Sequence, residues 1–438
     1  MVYVLNKNGK PLMPTQRHGK VRRLLRDGKA KVVRCCPFTI KLLYDTPNIV
    51  QELTLGVDTG SSVIGSAVYS SNGNILYTAK TIIRNDIKEK MDQRRMYRRN
   101  RRYRKTRYRK PRFLNRCSSV KKNRFSPTMI SKIHSHIKEI EFVKSILPVS
   151  KLVLETGTFD THLMKNPALA NEKVRFWGYQ KGANYGFENT KAMVLNRDGY
   201  KCHVCKSKKK GVKLEVHHII FRSNGGSDEA DNLITLCHDC HKKLHEGKAK
   251  LNLKGKPKGQ LNHATQMNSI RIQLLKHYPE AIETFGYVTK ANRQLLNIEK
   301  DHHIDACVIA SGGKQFNIKS DLLLKRDISE GDKQQTKGIR GEQRLNTAKI
   351  QGFRKFDKVK YFGKEYFIKG RMSSGYTILM NIEGDKIDFS NLPKGYKTPK
   401  LSLCKRISAR RSQLICITKI KLFTFISRDL ARGFYHSF

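Results

Sequence analysis

Two cysteine pairs, Cys202–Cys205 and Cys237–Cys240, each spaced C-x-x-C, are separated by 31 residues. Two thiolates from each pair supply the four soft ligands of a tetrahedral structural zinc. The separation exceeds that of a simple zinc hairpin, so the metal would clamp a small substructure. Inside the clamp lie His217 and His218 on a β-type run, a Gly225-Gly226 turn, and Asn232 ahead of a second short strand. Beyond it, His241 and His245 sit four apart on an expected helix and therefore share one face. Strand, loop, strand and helix with inward histidines suit a single-metal phosphodiesterase site. A neutral imidazole accepts a proton near neutral pH, and a divalent ion offsets charge on a phosphate. A zinc knuckle that only binds nucleic acid has no use for the histidine–asparagine series. His203 and His238, beside the cysteines, read as bystanders. His245 stays open between a third ligand, a phosphate contact and a helix-end residue.

This stretch resembles the HNH nuclease family. The resemblance implies His218 as the general base, His217 and His241 as ligands of a catalytic Mg²⁺, and Asn232 as the residue holding the loop that positions the base. A second resemblance lies in three separated pieces. LTLGVDTGSSVIG, an apolar strand ending in Asp58, resembles the first motif of RuvC/RNase H-type nucleases. Glu155 closes the strand Lys151–Glu155 as the second motif would, and DHHIDACVIA supplies the third, with His302 three residues before Asp305 on one helical face. By that resemblance Asp58, Glu155 and Asp305 form a carboxylate cluster for two divalent ions about 4 Å apart, Mg²⁺ or Mn²⁺ by their oxygen ligands. His302 is then the general base, with His303 as the alternative.

The elements that must position these groups follow from composition and pattern. The chain has 438 residues, 88 Lys+Arg against 36 Asp+Glu, and a formal net charge of +52. A compact protein of that charge repels itself unless a polyanion neutralises it, so nucleic acid is the expected partner. Of ten cysteines four are assigned and the rest are scattered, which suits a reducing cytosol. No long apolar run suggests a signal peptide or membrane span. Residues 1 to about 50 read as a small α+β module: a strand at Val2–Leu5, a turn-rich link KNGKPLMPT, a basic helix from His18 stopped by Gly28, then strands interrupted at Pro37. Gln93–Lys138 holds no acidic residue, and RRMYRRNRRYRKTRYRKPRF puts arginine on nearly every helical face until Pro111. Interleaved Tyr97, Tyr103 and Tyr108 favour a helix laid in a nucleic-acid groove, with arginine forks on phosphates. Arg94, Arg95, Arg98, Arg99, Arg101, Arg102 and Arg104 are the expected contacts. Thr128–Leu147 reads as a packing helix through Met129, Ile133, Ile137, Ile140, Phe142, Val143 and Ile146. Residues 156–190, with Trp177, read as a glycine-marked hinge leading into the HNH unit, with a nucleic-acid contact as the alternative, and Lys248–Asn262 as a basic exit linker. Phe356–Phe389 alternates apolar and polar residues between glycine turns, as a small β-sheet or barrel would.

Pro11-Leu12-Met13-Pro14, the split acidic motifs, the arginine-rich helix and the inserted HNH unit, in this order, resemble the IscB family, insertion-sequence-encoded relatives of type II CRISPR effectors. The resemblance runs from Pro11 to about Ser412. It implies an α/β multidomain protein with a split RuvC/RNase H-like core, an inserted ββα-metal HNH domain, an arginine-rich bridge helix, a small N-terminal α+β module and a C-terminal β-rich module. The expected boundaries are 1–52 for the N-terminal module and 53–87, 126–185 and 251–313 for the core with its linkers. The bridge helix takes 88–125, the HNH domain 186–250, a polar connector 314–345, and the C-terminal module 346–438, in which the role of 413–438 is open. The implied function is RNA-guided DNA cleavage: the HNH site cuts the guide-paired strand and the RuvC site the displaced strand. The implied partners are an omega-type guide RNA and double-stranded DNA with a target-adjacent motif, in a monomeric ribonucleoprotein of the prokaryotic cytoplasm acting at the nucleoid. An unguided HNH/RuvC-type nuclease of a mobile element is the alternative.

Overall fold

The computed structural model describes residues 1–103, 125–182, 184–207, 212–248, 251, 253, 261–329 and 349–419. It divides into two compact units, Met1–Gly157 with Ser269–Phe438, and Thr158–Asn268. Among the described residues no helix is long and apolar enough to cross a membrane.

The chain opens with β1 (Val2–Leu5), β2 (Pro11–Thr15), the helix His18–Arg26, β3 (Ala30–Cys35) and β4 (Phe38–Leu42). The four strands pair in the order β2-β1-β4-β3, and Val21 of the helix packs on Val2, Ala30, Ile40 and Leu42. PLMPT is thus a strand and not a turn-rich link. It occupies the sheet edge, where the missing N–H groups of Pro11 and Pro14 cost no ladder bond.

β5 (Leu53–Asp58), β6 (Val63–Ser70), β7 (Asn74–Ile82) and β8 (Lys151–Thr156) follow, the last after the helices Ile87–Tyr103 and Pro127–Lys144. The 158–268 unit contains β9 (Leu214–His218) and β10 (Leu233–Cys237). Then come β11 (Ile282–Phe285), β12 (Asn317–Ile318) and β13 (Leu322–Asp327), a small set β14 (Lys358–Tyr361), β15 (Lys364–Arg371), β16 (Thr377–Met380) and β17 (Lys405–Ser408), and β18 (Gln413–Thr418). The main sheet runs β11-β8-β5-β6-β7-β13-β18, with β12 beside β7. β5 and β8 are parallel, and β6 returns antiparallel between β5 and β7. Two expectations change here. Residues 317–327, expected within a polar connector, supply two strands, and 413–418 pairs with β13 in this sheet instead of extending the C-terminal module.

The helix His302–Ser311 lies on the sheet, with Ala306, Cys307 and Val308 packed against Ala67, Ile75 and Phe316. Gly65 allows that approach, because a Cβ there would overlap the His302 carbonyl oxygen. The helix Pro127–Lys144 buries Ile133, Ile140 and Val143 as expected, yet Lys132, Ser135, His136 and Glu139 share the buried face. Glu139 is matched by Lys325, whose Nζ lies 3.0 and 2.9 Å from its two oxygens. Ser66 and the Tyr77 hydroxyl donate to the same carboxylate. A buried charge pair is tolerable only when its partners are this complete.

In the second unit, the stretch expected as a hinge contains the helices Thr161–Lys165 and Glu172–Gln180 and a 3₁₀ turn at Pro167–Ala170. Met193 and Val194 of the helix Thr190–Arg197 pack on Leu233, and Asn189 caps that helix by accepting from Ala192 N–H. The small C-terminal sheet has the order β16-β15-β14-β17 around Val359, Tyr361, Ile368, Leu379 and Leu401. Arg104, Tyr108 and Pro111 lie outside the described residues, as do 330–345, most of the exit linker and 420–438.

Candidate functional site

Among the described residues, two groups of three or more ligand atoms lie within 4.8 Å of one another: Cys202, Cys205, Cys237 and Cys240; and His217, His241 and His245. Both sit in the 158–268 unit. Cys202, Cys237 and Cys240 share its buried core with Ile234 and Leu236, Cys205 is exposed, and the Cys205 and Cys237 sulfurs are 3.8 Å apart. Burial alone would raise the Cys202 thiol, but backbone N–H groups of Cys205, Cys237 and Val204 outweigh it and bring it down to about 7. Burial and the neighbouring thiols push Cys240 up to about 12. Four thiols so close cannot all ionise without a cation among them, and the set fits a structural zinc.

β9 and β10 pair antiparallel, with His218 opposite Leu233 and His217 opposite Ile234. His217 is buried, and its ring centre is 5.0 Å from that of His241 and 5.1 Å from that of His245 on the helix His238–His245. Burial, then the charges of His241, His245 and His218, hold its pKa down at about 4. An imidazole kept neutral is a ready metal ligand. His241 and His245 approach to 3.2 Å through their Nε2 atoms. His241 Nδ1 lies 2.8 Å from Glu215 Oε2, which leaves Nε2 facing the other two rings, the arrangement in which a carboxylate orients a metal-binding histidine. His218 turns the other way, with Nε2 2.9 Å from Asp228 Oδ1. Asn232, fully buried, ties the intervening loop: it donates to the Ile220 and Ser227 carbonyls and accepts from Ile220 N–H. The chain passes so close there that a Cβ on Gly226 would overlap the Ile220 carbonyl. The His238 ring pairs with Glu215, Nδ1 to Oε1 3.3 Å. Glu215 is the residue sequence reasoning missed. Its signal was positional, two before His217 and therefore on the same strand face.

The acidic residues meet in the larger unit. Asp58 and Glu155 end adjacent parallel strands and are register partners. Asp305 comes from the helix His302–Ser311, whose N-terminus is capped by Asp301 accepting from His303 N–H. His302 Nδ1 lies 2.6 Å from Asp58 Oδ2, and this hydrogen bond raises the imidazole pKa against its burial. His303, the alternative, turns instead to Asp301, Nδ1 to Oδ1 2.9 Å. Burial raises the Glu155 carboxyl, Asp58 and Asp305 add to it, and the Thr289 hydrogen bond and Lys300 only partly offset them, leaving it at about 7. The buried Glu155 Oε2 has no hydrogen-bond partner among the described residues. The carboxylates therefore feel one another, although they do not close to within 4.8 Å as a ligand group. Oxygen donors with an unsatisfied buried atom fit a hard divalent cation.

That carboxyl sets a pH dependence. With a folded pKa of about 7 against an ordinary 4.5, the folded state holds the proton more tightly than the unfolded chain. Its contribution to stability is full below the ordinary value and is lost as pH rises through about 7. Metal-free protein should therefore melt progressively lower from about pH 5 to about pH 8, and saturating Mg²⁺ or Glu155→Gln should flatten the trend. Melting temperatures that fall equally in the Gln variant would remove Glu155 as the cause.

Comparison with known proteins adds the family context. Residues 2–182 match the RRXRR protein family and residues 202–247 the HNH endonuclease family. A 69-residue stretch is 40% identical to Anaredoxin from Nostoc sp. (strain PCC 7120), covering 15% of this chain and 88% of that protein. A 35-residue stretch is 54% identical to the type IV methyl-directed restriction enzyme EcoKMcrA of Escherichia coli K12, covering 8% of this chain and 13% of the enzyme. Among solved structures, Streptococcus thermophilus Cas9 in complex with the AGAA PAM aligns with a TM-score of 0.33 at 12% identity, over 58% of this chain and 32% of that one. The type II-C Cas9 of Actinomyces naeslundii aligns with a TM-score of 0.21 at 12% identity, over 59% of each. The chain thus spans about a third of the Streptococcus protein and a small part of the restriction enzyme. The chain carries an RRXRR region followed by an HNH endonuclease domain, in the order its own motifs take, and is consistent with the IscB type of such proteins.

Proposed function

We propose that this chain is an RNA-guided DNA endonuclease with two hydrolytic centres, one for each strand. The observation that carries the reading is a pair of chemically unrelated sets in separate compact units: a histidine trio with its ligand atoms within 4.8 Å of one another, and carboxylates at adjacent strand ends with the buried Glu155 Oε2 unpartnered. In the HNH centre, His217 and His241, joined by His245, would hold a divalent ion, which offsets charge on the phosphate when bound. Three imidazole nitrogens suit a transition-metal ion better than the Mg²⁺ expected from the resemblance. His218 takes the proton of the attacking water. Donation of Nε2–H to Asp228 leaves Nδ1 as the acceptor, and Asn232 keeps the loop in place. In the acidic centre, Asp58, Glu155 and Asp305 would hold Mg²⁺ or Mn²⁺. With Nδ1–H given to Asp58, His302 accepts a proton at Nε2. The main sheet, with acids at adjacent strand ends and an acid-bearing helix across it, supports reading 53–87, 126–185 and 251–313 as a RuvC/RNase H-like core.

The helix Ile87–Tyr103 supports the start of a bridge helix at 88–125, since Arg94, Arg95, Arg98 and Arg99 are all exposed on it. The β14–β17 sheet is the candidate surface for the guide and the target-adjacent motif. Partners on this reading are a structured guide RNA and double-stranded DNA, in a monomeric ribonucleoprotein. Base pairing then supplies sequence specificity.

Protein purified without added nuclease should carry RNA, and stripping that RNA should abolish cutting of matched DNA. RNA-free protein that cuts at the full rate would establish the unguided nuclease, a reading favoured by the short identity to EcoKMcrA. Neutralising Arg98, Arg99, Arg101 and Arg102 together should weaken RNA binding and flatten its salt dependence by about one log–log unit for each phosphate no longer neutralised. A slope equal to that of wild type would make this helix a solvated surface.

A further inference from the structure

The acidic centre contains a cation of its own. Arg293, on the helix Gly286–Leu295, places Nε 2.9 Å from Asp305 Oδ1, with side chains only 14% and 11% exposed. Among the described residues neither atom has a hydrogen-bond partner, so charge holds the pair, not a directed N–H donor. Elsewhere the guanidinium makes a long hydrogen bond, Nη1 to the Ile298 carbonyl at 3.5 Å. A buried arginine serving only as scaffold would satisfy its fork on carbonyls. This one is directed at a carboxylate, and its charge cannot be shed.

The charge balance gives the consequence. Three carboxylates and one scissile phosphate carry four negative charges at most. Two divalent ions already match them, and Arg293 would add a fifth positive charge in a buried place. One ion plus the guanidinium leaves a single negative charge, which His302 can balance when protonated. The geometry agrees: Glu155 Oε2 is unpartnered and Asp58 leans on His302, whereas Asp305 is the carboxylate drawn to Arg293. We propose that Arg293 is the resident counter-ion of Asp305, so that the acidic centre takes one divalent ion, at Asp58 and Glu155, while the guanidinium holds the place of a second. This rests on reading Asp58, Glu155 and Asp305 as a metal centre. Arg293 is then a positioning residue that sets metal stoichiometry.

The test is a count of Mn²⁺ bound by the full-length, zinc-loaded, RNA-free chain, read from the spin-resonance signal of free Mn²⁺. The difference between wild type and the triple variant Asp58→Asn/Glu155→Gln/Asp305→Asn gives the ions held at the acidic centre, and one is expected. Two would overturn the counter-ion; none would overturn the metal reading itself. Arg293→Gln should take one ion more than wild type, and Arg293→Lys the same number. An unchanged or reduced count in the Gln variant, with wild-type melting, would overturn the proposal. Should the Gln variant melt early, the wild-type difference decides alone, since it involves no change at Arg293.

Discussion

Asp58→Ala should leave an enzyme that nicks only the guide-paired strand, and His218→Ala one that nicks only the displaced strand. Asp58 is both a strand-end carboxylate beside Glu155 and the hydrogen-bond partner of His302. On the proposed reading, its loss removes a metal ligand and the group that orients a base. His218 would contribute proton transfer, for which about 10²–10⁴-fold is typical. The two sets of residues belong to different compact units, so each substitution should leave the other centre working. On supercoiled plasmid carrying the matched sequence, each variant should accumulate nicked circles and no linear product. Strand-specific end labels would identify the surviving cut. A single substitution that removed both cuts would show that the two centres are not independent.

Cys237→Ser should have an effect of similar size by another route. The core of the 158–268 unit around β9 and β10 is small, and three of its buried members, Cys202, Cys237 and Cys240, belong to the four-cysteine set that fits a zinc. Little apolar area remains to stabilise the unit once the metal is lost. Structural zinc in small domains contributes on the order of 10–16 kcal/mol of apparent binding free energy, far more than such a core can supply. The variant should lose zinc and become protease-sensitive across 158–268. It should stop cutting the guide-paired strand, yet keep the cut made by the acidic centre. Wild-type protein that is active with no zinc measurable by atomic absorption would refute this account.

The chemistry in the sequence was legible where residue type and short spacing decide it. Two C-x-x-C pairs, a histidine doublet, and acids that end apolar strands each carry their own meaning. The structure adds what only chain-distant neighbours decide. Glu215 is an ordinary strand glutamate until His241 meets it, and His245 joins the other rings because its helix docks on β9. Arg293 was one basic residue among many, since nothing local marks it as the neighbour of Asp305. The helix Pro127–Lys144 shows the same limit. Its apolar stripe was readable, but the burial of Glu139 depends on Lys325, 186 residues away. β12 and β13 escaped notice because their apolar runs are short and stand in polar surroundings. The PLMP strand was hidden by its prolines, which mark a turn except at a sheet edge.

The main sheet also sets an order in time. β5 to β8 precede Thr158, β11 and the helix His302–Ser311 follow Asn268, and β18 comes at 413–418. A ribosome therefore exposes Asp58 and Glu155 and the whole HNH-bearing unit before Asp305 and Arg293 exist. Domains generally form in the order of synthesis, whereas pairings distant in sequence wait for their partner strand. During translation the acidic centre stays incomplete until residue 305 has emerged, and the β13 edge stays open until β18 arrives to close it. A nascent chain thus holds its complete histidine cluster before its complete set of clustered carboxylates.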